Sequence, residues 1–154
     1  MKVIFLDIDG VLNTEKYIMD LLHKNLSTQD SDWCDFFDPK CIAKLKEIID
    51  QTGAKIVISS TWRFLGLDIL RKKFEERGVS GEIIDKTPLS RSMRERGYEI
   101  QAWLDNHEEV ESYVILDDDV DMLPSQLKNL VVTSWKDGIS NENVKQAIKI
   151  LNDK

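Results

Sequence analysis

The apolar run Lys2-Val-Ile-Phe-Leu6 stops abruptly at Asp7-Ile-Asp9-Gly10. A run without polar alternation suits a strand covered on both faces, and such strands belong to parallel sheets. The design recurs along the chain. Lys55-Ile-Val-Ile58 leads into Ser59-Ser60-Thr61, and Tyr113-Val-Ile-Leu116 leads into Asp117-Asp118-Asp119. Shorter runs at 81–84 and 130–133 bring the expected strands to five.

Helical periodicity fills the intervals. Asp38-Pro39 reads as an N-cap followed by proline at the first helical position, with Ile42, Leu45, Ile48 and Ile49 on one face and Gly53 as the stop. Leu67, Leu70 and Phe74 share a face before Gly78. A helix over 98–106 turns Ile100, Trp103 and Leu104 inward. Ser140 caps a last helix with Val144, Ala147, Ile148 and Leu151 at helical spacing. Strands alternating with helices predict an α/β fold: a three-layer, Rossmann-like parallel sheet of about five strands with helices on both faces. Ligands of such sheets bind at the carboxyl ends of the strands. That rule brings the clusters at Asp7/Asp9, Ser59–Thr61 and Asp117–Asp119 to one rim.

A chain of 154 residues suits one domain over 1–154, with a small flap or insert around 14–38. Hydrophobic residues make up 42%, enough for a core. The net charge of -7 argues against binding nucleic acid or anionic membrane through bulk charge. There is no signal-peptide core at the N-terminus, and no apolar stretch approaches the roughly 20 residues of a membrane helix. Cys34 and Cys41 form neither a metal spacing nor a disulfide framework. The expectation is a reduced, cytoplasmic chain with no membrane partner.

Crowded carboxylates repel, so either some carry protons or a cation sits among them. Oxygen ligands without His or Cys select Mg²⁺, which commonly serves a phosphate. A lone Asp7-x-Asp9-Gly10 fits a capped turn equally well. Asp117–Asp119 alone would be a solvated acidic turn, but beside strand one the metal reading is favoured. Ser59, Ser60 and Thr61 can cap the following helix, and the same hydroxyl and backbone N–H groups can bond phosphate oxygens. The two roles are compatible.

On these residues the chain resembles the haloacid dehalogenase (HAD) superfamily of aspartate-nucleophile phosphohydrolases. The matching elements are VIFLDIDGVLN (3–13), IVISSTWR (56–63), Arg96 in RGYEIQAWL and YVILDDD (113–119), in the family's order. Within the superfamily it is similar to the small, cap-poor domains of Swiss Army Knife RNA-repair proteins. That order counts against a receiver domain, which distributes a similar set differently.

The resemblance implies roles. Asp7 is the nucleophile, and Asp9 is the acid and then the base, touching Mg²⁺ through its carbonyl. Ser59 and Ser60 bind the phosphate, Arg96 neutralises it, and Asp117 and Asp118 join Asp7 and Asp9 at the metal. The family's usual lysine is Arg96 here, with Lys86, Arg91 and Arg94 as rivals. A small cap leaves an open site, which suits a macromolecular substrate such as a nucleic-acid end or a phosphoprotein; the substrates expected are nucleic-acid phosphate ends or nucleotides. Lys86, Arg91, Arg94 and Arg96 either border that site or form a solvated loop. Trp62 reads as packing rather than base stacking. The segment 30–38 reads as a flap, and His23 and His107 as surface residues without partners. The alternative to a phosphatase is a non-catalytic phosphate- or Mg²⁺-binding module working with a protein partner.

Overall fold

A computed structural model describes residues 1–24, 36–89 and 96–153. Five strands form one parallel sheet. They are β1 (Lys2–Leu6), β2 (Lys55–Ile58), β3 (Ile83–Lys86), β4 (Ser112–Asp117) and β5 (Leu130–Val132), in the order β3-β2-β1-β4-β5. The helices are α1 (Glu15–His23), α2 (Pro39–Thr52), α3 (Leu67–Glu76), α4 (Arg96–Leu104) and α5 (Asn141–Asn152).

Alternation along the central strand divides the core. Ile4 and Leu6 join Ile56, Ile58, Val114 and Leu116 against Leu45 and Ile48 of α2, Leu70 and Phe74 of α3, and Val144, Ala147 and Leu151 of α5. Val3 and Phe5 face the other way, with Val57 and Ile115, against Ile100 and Trp103 of α4. The strands β1, β2 and β4 therefore bury both faces, which explains their unbroken apolar runs. The ring of Phe5 meets Trp103 edge-on at 5.4 Å.

Several boundaries differ from the sequence expectation. Gly81 has φ +105, so the third strand starts later, at Ile83. After Ser60 the chain makes a 3₁₀ turn, Thr61–Leu65, and α3 begins only beyond Gly66, whose φ is +89. Arg96 is the first residue of α4 rather than a residue ahead of it. Helix α1 was not anticipated; Thr14 caps it by accepting from the Tyr17 N–H at 3.1 Å. Of the expected flap or insert around 14–38, residues 25–35 lie outside the described set. At its end Phe37 is core, 3% exposed, and Asp38 caps α2. His107 is not free at the surface: its ring stacks on Trp103 at 3.6 Å. No helix among the described residues is long and apolar enough to cross a membrane.

Candidate active site

Register places the polar clusters level. Leu6 pairs with Ile58 on one side and Leu116 on the other. The next residues continue the ladder. The N–H of Asp7 donates to the Leu116 carbonyl at 3.0 Å, and that of Ser59 to Leu6 at 3.1 Å. Thr87 donates to Ile58 and Thr133 to Asp117, each at 2.9 Å. Five polar side chains thus stand on one edge of the sheet, where strand pairing ends.

Beyond Asp7 the chain must turn sharply. Gly10 supplies the turn at φ +79, and its N–H donates to the Asn13 carbonyl at 3.0 Å. Ile8, Val11 and Leu12 are buried and hold this loop down. Thr133 ties it to β5 through a 2.7 Å bond from its hydroxyl to the Gly10 carbonyl. A Cβ at Gly10 would meet Asp118 Cγ at 2.7 Å, so only glycine lets the Asp118 carboxylate lie against the loop.

The loop delivers a carboxylate cluster. Oxygens of Asp7, Asp117 and Asp118 lie within 4.8 Å of one another. Arg96 reaches in from the start of α4. Its Nη1 donates directly to Asp117 Oδ2 and lies 3.2 Å from Asp7 Oδ2. Gly97 makes this approach possible: a Cβ there would strike the Leu123 nitrogen at 2.6 Å. Asp121 caps the same helix end, accepting from the Arg96 N–H at 3.3 Å.

Electrostatics follow. Burial, then the Asp7 charge, pushes Asp117 up to about 7, although Arg96 acts in the opposite direction. Asp118 is raised for the same two reasons, burial first. Burial alone would lower Arg96, but Asp7 and Asp117 outweigh it and hold the guanidinium charged. With all three carboxylates ionised, the one guanidinium leaves two negative charges uncompensated. A divalent cation with oxygen ligands fits that deficit and that donor set.

The remaining expected residues take distinct places. Ser59 is fully buried, and its hydroxyl has no hydrogen-bond partner. Buried polar atoms are nearly always satisfied, so this one points to a missing acceptor or donor. The Ser60 hydroxyl accepts from the Trp62 N–H at 3.2 Å and caps the 3₁₀ turn. Asp9 accepts from Asn13 Nδ2 at 2.8 Å and from Trp62 Nε1 at 3.2 Å. Lys86 turns its ammonium to the Arg63 carbonyl, 3.3 Å away. Arg91 and Arg94 lie outside the described residues.

Sequence reasoning passed over Arg63 and the polar contact of Trp62. Trp62 is packing, as expected, but its indole N–H also engages Asp9. Arg63 is 6% exposed and donates to the Ser59 carbonyl at 3.2 Å, the Thr87 hydroxyl at 2.9 Å and Glu99 at 2.9 Å. It joins the turn after β2 to α4, the helix that carries Arg96. A charged residue between two aromatics in Trp62-Arg63-Phe64, just past a strand end, was the available signal.

Compared with protein-family models, residues 3–144 match the HAD domain in Swiss Army Knife RNA repair proteins. No curated protein and no solved structure matches the chain.

Proposed function

The chain belongs to the family of HAD domains in Swiss Army Knife RNA repair proteins, and from that premise we propose that it is a Mg²⁺-dependent phosphohydrolase working through an aspartyl-phosphate on Asp7. Its substrates, on this reading, are phosphorylated nucleic-acid ends or nucleotides. One observation carries the proposal: Asp7 stands level with an unpartnered, buried Ser59 hydroxyl and within 4.8 Å of Asp117 and Asp118.

The proposed reaction has two displacements. Asp7 attacks phosphorus, the bond to the leaving oxygen breaks, and Asp9 gives that oxygen a proton. Water then attacks the same phosphorus, Asp9 takes a proton from it, and the bond to Asp7 breaks to release phosphate. Ser59 donates to a phosphate oxygen, and the Ser60 cap keeps the adjoining turn in shape. Arg96 supplies positive charge where negative charge builds. Asp7, Asp117, Asp118 and the Asp9 carbonyl would hold Mg²⁺, which screens the approach of one anion to another. The site has no use for Lys86 in this scheme.

The test is phosphate release with Mg²⁺ from a mixed panel: an aryl phosphate, nucleoside monophosphates, sugar phosphates and 3′- and 5′-phosphorylated oligonucleotides. Asp7→Asn serves as the blank. Release that the variant lacks, highest on oligonucleotide ends or nucleotides, supports the proposal. No release above the blank from any substrate contradicts it and favours a binding module.

A further inference from the structure

Trp62 lies in the 3₁₀ turn and is 6% exposed. Its ring packs on Phe37 at 5.6 Å, and Phe37 meets Phe74 edge-on at 5.9 Å. A buried indole needs an acceptor for its N–H. Here that acceptor is Asp9 Oδ2, 3.2 Å away, although the two residues are 53 apart in the chain.

The other oxygen of Asp9 is also held. Oδ1 accepts from Asn13 Nδ2 at 2.8 Å. The orientation of that amide is set by the Gly10 N–H, which donates to Asn13 Oδ1 at 3.2 Å. Indole N–H and carboxamide NH₂ groups are donors only. Each oxygen of Asp9 is thus anchored by a donor on a separate element, and the carboxyl group is held in one orientation.

We infer that Trp62 is a positioning residue that, with Asn13, fixes the orientation of the Asp9 carboxyl group towards the leaving oxygen of the substrate. The inference rests on the reading of Asp9 as the proton carrier in phosphoryl transfer. In that step an Asp7 oxygen bonds to phosphorus, and the phosphorus–oxygen bond breaks with its electron pair on the leaving oxygen. The Asp9 proton joins that oxygen.

The test uses Trp62→Phe, which keeps a ring against Phe37 and removes the N–H. Two substrates are compared by kcat/KM. An aryl phosphate with an acidic phenol departs without protonation, whereas an alkyl phosphate must be protonated as it leaves. The expected loss is about tenfold on the alkyl phosphate and under about twofold on the aryl phosphate, in keeping with misplacement of a proton donor. Adding Trp62→Phe to Asp9→Asn is expected to cost nothing more. Equal losses on both substrates, no loss on either, or a further loss in the Asp9→Asn background would overturn the inference. Should Trp62→Phe fail to fold, the indole N–H resonance of Trp62 in otherwise native protein takes its place. It is expected to shift when Asp9 becomes Asn, while the other three tryptophans stay put; an unmoved Trp62 resonance would overturn the inference. If the native protein turns over neither phosphate, the phosphatase reading itself has failed, a result distinct from equal losses.

Discussion

Arg96, the first residue of α4, donates its Nη1 to the Asp117 carboxylate at the end of β4. The same nitrogen lies 3.2 Å from Asp7. One helix thus closes a cluster that two strands begin. With its carboxylates ionised, the cluster keeps an excess of negative charge.

Stability without metal should depend on Asp117. Its folded value, about 7, lies above the ordinary carboxylate range, chiefly through burial. The folded state therefore holds this proton more tightly than the unfolded state. The sign follows: Asp117 favours folding most at low pH, and its contribution falls as pH rises from about 4 to about 7. The check is urea denaturation in chelator across that window, for native protein and Asp117→Asn. The stability of the variant relative to native protein is expected to rise with pH and level off above about 7.

Mg²⁺ should stabilise the fold through the same carboxylates. At a hundred times its dissociation constant the gain is about 2.7 kcal/mol, visible as a rise in Tm. Asp118 is partly exposed, so Asp118→Asn should fold normally. The variant is expected to lose most of the Mg²⁺-induced rise, which thermal denaturation with Mg²⁺ or chelator would show.

Removing Arg63 should damage folding more than any surface change. Its guanidinium and the Glu99 carboxylate are 8% and 11% exposed and 2.9 Å apart. Arg63→Met leaves a buried carboxylate without this partner, and breaking such a pair costs about 3–5 kcal/mol. Denaturant unfolding is the measurement. The double variant Arg63→Met/Glu99→Leu is expected to recover part of the loss.

Gly97→Ala tests the approach of α4. Helix propensity alone would favour alanine by about 1 kcal/mol. The new Cβ, however, would lie 2.6 Å from the Leu123 nitrogen and 2.9 Å from Met122 Cα, both backbone. A net loss of about 1–3 kcal/mol is expected from overpacking. Tyr98→Ala, at the neighbouring exposed position, should stay within about 0.5 kcal/mol of native protein. A stabilised Gly97→Ala would contradict the packing described.

Much of this frame is legible in the sequence. Strands buried on both faces announce themselves as unbroken apolar runs, and polar residues at their ends must converge where parallel strands stop. Asp7, Ser59 and Asp117 could be placed on one rim by that argument alone. The first turn of α4 was harder, because Arg96-Gly97 looks like a helix breaker until Leu123 and Gln126 are seen against it. The bond from Trp62 to Asp9 could not be read from periodicity, since packing already explains a buried tryptophan. Arg63 carried no reading of its own in the sequence; its burial depends on Glu99 and Thr87, which are distant in sequence. Local patterns report which face is covered, not which distant group satisfies a buried donor.

The central claim is that phosphoryl groups pass through Asp7. The stereochemical course at phosphorus tests it most directly, using an isotopically chiral thiophosphate monoester hydrolysed in isotope-labelled water with Mg²⁺. Two in-line displacements give net retention, and the account predicts retention, with no turnover in Asp7→Asn. Net inversion would mean that water attacks the substrate directly and would contradict the aspartyl-phosphate.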